Sequence, residues 1–86
     1  MYRIAFVPSV ERDLRQLDKP IRLRVLNKLR WLAENLESLS PEPLTGQWQG
    51  MYKLRAGDYQ MIYTLDPSRE TLIVHAIGHR SKVYKA

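Results

Sequence analysis

Residues Met51 to Tyr63 constrain this chain more than any other stretch, because they read as two strands about a tight turn. In the first arm Tyr52 and Leu54 alternate with Met51, Lys53 and Arg55; in the second, Tyr59, Met61 and Tyr63 alternate with Gln60 and Ile62. A period of two places alternate side chains on opposite faces of a sheet. Ala56-Gly57-Asp58 supplies the reversal, with a glycine that takes positive φ at no steric cost. Tyr52 and Leu54 are therefore expected to face a core. Lys53 and Arg55 face the other way, as two cations fixed on rigid backbone. Such a pair is costly unless an anion visits, which points to a phosphate-binding surface. Gln60 falls out of phase with Tyr59 and Met61, so the alternation predicts that its side chain can be lengthened without entering the core.

The flanking segments supply the rest of the architecture. Tyr2 to Val7 reads as a strand with Tyr2, Ile4 and Phe6 on one face, ended by Pro8. Ser9 is the expected helix N-cap, with Glu11 in the first turn and Val10, Leu14 and Leu17 as the apolar stripe. Asp18-Lys19-Pro20 punctuates the chain, and proline suits the first position of a helix. A second helix, about 20 to 37, carries Ile21, Val25, Leu26, Leu29, Leu32, Ala33 and Leu36 on one arc, with Arg24, Lys28 and Asn35 opposite. Leu23 and Trp31 fall off the arc. Either they are incidental surface residues or a partner chain covers them.

Residues 37 to 47 read as a connector, because Ser40-Pro-Glu-Pro43 forbids regular helix. The first arm of the hairpin is expected to begin near Trp48. Asp66 to Glu70 is a second turn. Thr71 to Ile77 is rich in β-branched residues and apolar on both faces, the pattern of an interior strand. Gly78 to Tyr84 is expected to leave the sheet as a loop or a short turn of helix. Short turns require antiparallel neighbours. The expectation is a two-layer α+β domain spanning residues 1–86. A helical hairpin packs on one face of a four-stranded, mostly antiparallel sheet, in the order β-α-α-β-β-β. The other sheet face is expected to stay open.

Composition narrows the function classes. Eighty-six residues, 44% of them hydrophobic, are enough for one core. There is no cysteine and there are only two histidines, so a disulfide framework, a thiolate site or a structural zinc is not expected. No apolar run is long enough to span a membrane, and the N-terminus lacks a signal-peptide layout, so a cytoplasmic protein is expected. The net charge is +5. A basic excess suits nucleic acid or an acidic protein partner, although a solubilising surface explains it as well.

Three features together resemble the RelE/ParE superfamily of toxins, on the RelE side. They are the strand-helix-helix-three-strand order, the segment from Leu44 to Tyr63 with Met-Tyr-Lys-Leu-Arg-Ala-Gly-Asp-Tyr-Gln, and the ending Ile77-Gly-His-Arg-Ser-Lys-Val-Tyr84. The resemblance implies the toxin of a type II toxin–antitoxin system, acting as a ribosome-dependent mRNA endoribonuclease that inhibits translation. The 2′-hydroxyl of the scissile nucleotide would attack the adjacent phosphate in the ribosomal A site, with no metal or other cofactor. It implies an acidic cognate antitoxin, with operator DNA bound only through the antitoxin complex.

Lys53 matches a lysine of the family's catalytic strand, Arg80 an arginine on the scissile phosphate, and Tyr84 the C-terminal tyrosine. Arg55, Gln60 and Lys82 would contact RNA, and Leu23 and Trp31 the antitoxin. Met51 and Gln60 are neutral where relatives carry cations. A lysine starts near ~10.4, so as a proton carrier it needs help from its surroundings, whereas histidine does not. His79 is accordingly a further catalytic candidate, its alternative being a loop histidine bonded to backbone; His75 reads as a structural residue inside a strand. Two other readings stay open: a ParE-type toxin acting on DNA gyrase, and a non-catalytic RNA- or DNA-binding module.

Overall fold

The structure of the protein, a computed structural model, describes residues 1–79. Strand β1 (Arg3–Phe6) leads directly into helix α1 (Pro8–Gln16). Proline's fixed φ and missing N–H suit the opening turn, so the helix starts at Pro8. Val7 caps it with extended backbone and no side-chain bond; the predicted Ser9 cap lies inside the helix instead. Helix α2 (Lys19–Asn35) follows from Asp18, with Pro20 in its opening turn as expected, and passes into a 3-10 turn at Leu36–Ser38. The apolar arc is borne out: Val25, Leu29, Leu32 and Ala33 are buried, and Ile21, Leu26 and Leu36 half-buried.

The sheet has five strands in the order β1-β5-β4-β3-β2, where the sequence predicted four. The additional strand is β2 (Glu42–Pro43), inside the expected connector, antiparallel to β3 (Tyr52–Ala56) with Glu42 opposite Lys53 and Pro43 opposite Tyr52. A proline with no N–H to donate is tolerated at such an edge. Gly46–Trp48 is a 3-10 turn, so β3 starts at Tyr52 and not near Trp48. Strands β3 and β4 (Tyr59–Asp66) form the expected hairpin. Gly57 has φ +62° and Asp58 has negative φ, the pattern of a two-residue turn with glycine first. Strand β5 (Thr71–His79) lies between β4 and β1, antiparallel to the former and parallel to the latter. It runs two residues further than predicted, because Gly78 pairs with Gln60 and His79 with Tyr59.

Both helices pack on one face of the sheet. The core joins Val10 and Leu14 of α1 and Val25, Leu29 and Leu32 of α2 to Ala56, Met61, Tyr63, Leu72 and Val74 of the sheet. Each buried Val, Leu or Met side chain among them contributes about 1.5–3 kcal/mol. The two-layer, mostly antiparallel α+β fold is therefore as expected. One irregularity matters below. Ile62 pairs with Ala76 and Tyr63 with Val74, which leaves His75 as the extra residue of a β-bulge.

Candidate functional site on the sheet face away from the helices

Tyr52, Leu54, Ala56, Tyr59, Met61 and Tyr63 belong to the core beneath the helices. Alternation then assigns Lys53, Arg55, Gln60, Ile62 and Thr64 to the far face, as the sequence implied for the first three. From β1 and β5, Arg3, Ala5, Thr71 and Ile73 share that face, since Ile4, Phe6, Leu72 and Val74 belong to the core. The face is not open at its centre. Ile62 is 0% exposed and Gln60 only 7%. Lengthening Gln60 thus means entering a covered space, contrary to the sequence expectation. Its amide Oε1 is buried with no hydrogen-bond partner among the described residues, an arrangement that costs about 1–3 kcal/mol.

Lys53 is not an unanswered cation. Its Nζ lies 2.8 Å from Oε2 of Glu42, with the lysine side chain 26% exposed. The pair arises from the register that sets Glu42 opposite Lys53, and β2 was not foreseen. Among the described residues an opposite charge, that of Glu42, thus lies beside Lys53. Arg55 is exposed, on the part of β3 that the two residues of β2 leave uncovered.

The two histidines exchange places relative to the sequence reading. His79 stands in β5, not in a loop, and its ring meets Tyr59 edge-on, with centroids 5.8 Å apart at 79°. Tyr59 and Ile77 are on the helix side, so His79 shares their face and not that of Lys53. His75, set aside as structural, follows Val74 of the core and so stands on the far face, where Nε2 and the Thr64 hydroxyl share a hydrogen bond of 2.7 Å. No pattern of period two signals the bulge, which turns Ile77 and His79 to the helix side. Arg80, Lys82 and Tyr84 lie outside the described residues.

A second feature lies along the α2–β3 edge. A groove of about 630 Å³ is lined by Leu23, Arg24, Lys28, Trp31, Arg55 and Gly57, among others. A neighbouring cavity of about 280 Å³ runs beneath residues 39–42 to Tyr63. Leu23 is 47% exposed and Trp31 42%, as their off-arc positions predicted. Lys28 Nζ sits 4.3 Å from the Trp31 ring centroid. Arg24 reaches over the turn, its Nη1 only 3.1 Å from where a Cβ on Gly57 would stand. Among the described residues no group of three or more His, Cys, Asp or Glu could hold a metal ion, and no helix is long and apolar enough to cross a membrane.

A helical hairpin on one side of a small twisted sheet, with a lysine, an arginine and a buried amide on the other, defines a RelE/ParE-type toxin domain. The chain belongs to the family described as the ParE toxin of type II toxin–antitoxin systems, which matches residues 4–84. It is 26% identical over 88 residues to Toxin RelG of Mycobacterium tuberculosis, covering 98% of this chain and 97% of that one. It is 25% identical over 84 residues to Toxin RelE of the same organism, covering 98% and 87%. Among solved structures, the RelBE2 toxin–antitoxin complex of M. tuberculosis superposes with a TM-score of 0.80 at 25% identity, covering 92% of this chain and 98% of that one. The isolated E. coli RelE toxin does so with a TM-score of 0.75 at 23% identity, covering 98% and 92%, a likeness of fold.

Proposed function

We propose that this toxin is a RelE-type endoribonuclease that cuts mRNA on the ribosome and so inhibits translation. The observation that carries the reading is the far sheet face, where Lys53 is held by β3 beside Arg55 and the buried Gln60 amide. These stand at the positions that resemble the family's catalytic strand. In this reading the 2′-hydroxyl attacks the adjacent phosphate and the substrate brings its own nucleophile. Lys53 and Arg80 stabilise charge on the pentacoordinate transition state. A guanidinium does so through two parallel hydrogen bonds, and electrostatic stabilisation of this type is usually the largest catalytic contribution. Tyr84 stacks on a base or passes a proton, while Arg55, Gln60 and Lys82 guide the RNA. Cleavage by this route asks for no metal. The ribosome as target makes the protein cytoplasmic.

The likeness to a toxin–antitoxin complex supports a cognate antitoxin. We assign it an acidic chain that covers Leu23 and Trp31 in the basic α2–β3 groove. Complementary charge speeds such an association and a buried aromatic anchors it. Operator DNA is reached only through that complex.

One observation favours a second reading, inhibition of DNA gyrase. Glu42 already neutralises Lys53, and the matched family is described as ParE. Induced expression with parallel amino-acid and thymidine incorporation separates the two. Early loss of protein synthesis supports the ribonuclease; DNA synthesis stopping first, with translation intact, overturns it in favour of gyrase.

A further inference from the structure

We propose that His75, positioned by Thr64, is the proton-accepting catalytic residue of this toxin, an assignment that rests on the ribonuclease reading above. The bulge at His75 breaks the alternation of β5, so that Val74 and Ile77 both keep their places in the core while His75 turns to the far face. The 2.7 Å bond between Nε2 and the Thr64 hydroxyl fixes the ring. In the tautomer in which Nε2–H donates to Thr64, Nδ1 keeps its lone pair. One group that orients a base while its other nitrogen does the chemistry is the arrangement of a hydrolase triad.

Lys53 and the bulge stand on opposite sides of Ile62, which pairs with both Lys53 and Ala76. Two strand spacings separate them, roughly 10 Å between backbones, so a phosphodiester reached by both a long lysine and an imidazole would lie above the buried Ile62. The orphaned Gln60 acceptor lies on the same face, one pair along from Ile62. The charged groups on this face are Lys53 and Arg55 of β3, Glu42 of β2, Arg3 of β1 and Asp66 of β4, with none from β5 among the described residues.

The step balances without an added reagent. Nδ1 of neutral His75 takes the 2′-hydroxyl proton as the 2′-oxygen bonds to phosphorus. The bond from phosphorus to the 5′-oxygen breaks, and that oxygen receives a proton from the Lys53 ammonium. A 2′,3′-cyclic phosphate and a 5′-hydroxyl leave, and solvent returns the proton from imidazolium to lysine.

The test is single-turnover cleavage of mRNA on programmed ribosomes across about pH 5 to 8, the range in which histidine ordinarily changes charge. Wild type, His75→Gln and Thr64→Val are compared, each checked for folding by circular dichroism. Wild type should show a rate that rises with pH to a plateau. His75→Gln should lose that limb and cut about 10²–10⁴-fold more slowly, the usual worth of a general base. Thr64→Val should keep its ribosome affinity, cut more slowly and shift the limb. A folded His75→Gln with wild-type rate and profile overturns the assignment. If that variant does not fold, an unchanged profile in Thr64→Val overturns it. A wild-type chain that leaves ribosomal mRNA intact overturns the ribonuclease reading and this one together.

Discussion

Replacing Gln60 by methionine should make this protein more stable. The side chain is 7% exposed, and its Oε1 has no partner among the described residues. A buried acceptor without a donor costs about 1–3 kcal/mol, while removing the polar group and keeping the shape is neutral or favourable. Methionine matches glutamine in length and bends to fill irregular space. The expected gain is thus about 1–3 kcal/mol. A domain of this size shifts its Tm by about 4–8 °C per kcal/mol, so the melt should move up by at least about 4 °C. Gln60→Arg should do the reverse, because a guanidinium would be buried on the face that already holds Arg55 and Lys53. Urea unfolding followed by far-UV circular dichroism and by tryptophan fluorescence measures both, with the slope m showing whether the two ends of the transition have changed. A Gln60→Met midpoint equal to or below wild type, at the same m, would refute the reasoning: Oε1 would then have a donor in solution. If Gln60 also touches RNA, the more stable variant cuts more slowly, the common exchange between stability and activity.

Two further outcomes are expected. Burial, and secondly the neighbouring Tyr52, push the Tyr63 phenol up to about 12. A value raised above that of the unfolded chain gives stability that is whole below about pH 10 and lost as pH climbs from 10 to 12; Tyr63→Phe should flatten that decline in alkaline denaturation curves, and an unchanged slope counts against it. Trp31→Ala should cost the free protein about 1 kcal/mol or less, since the ring is 42% exposed and its contact with Lys28 is a surface one; calorimetric titration with the antitoxin should lose about 2 kcal/mol or more, and an unaltered affinity would remove Trp31 from the docking groove.

What the sequence made legible was local. The arc of α2 and the alternation of the hairpin each repeat several times within one element, so tertiary context had little to overrule. Leu23 and Trp31 could be seen as misfits against that arc for the same reason. Strand β2 has only two residues, one of them Pro43, with Pro41 just before, so there is no period to detect, and its Glu42 meets Lys53 only through pairing. The coverage of Ile62 and Gln60 is likewise non-local. His79 lies on the helix side because one inserted residue reverses the side of everything after it, and period two cannot say where an insertion falls. The positions of Arg80, Lys82 and Tyr84 fall outside the described residues, so the second half of the matched motif rests on resemblance alone.

The parallel pairing of β1 with β5 has a consequence for timing. Arg3 is made well before Thr71, yet they lie side by side. At 5–20 residues per second the 68 positions between them take roughly 3–14 seconds to make. The described residues that line the α2–β3 groove, from Pro20 to Gly57, all precede β5 in the chain. The far face needs β3, β4 and the bulge at His75, so it closes later than the pieces of the groove are made. If an antitoxin docks in that groove, as proposed, its seat on a nascent chain is made before the far face is complete.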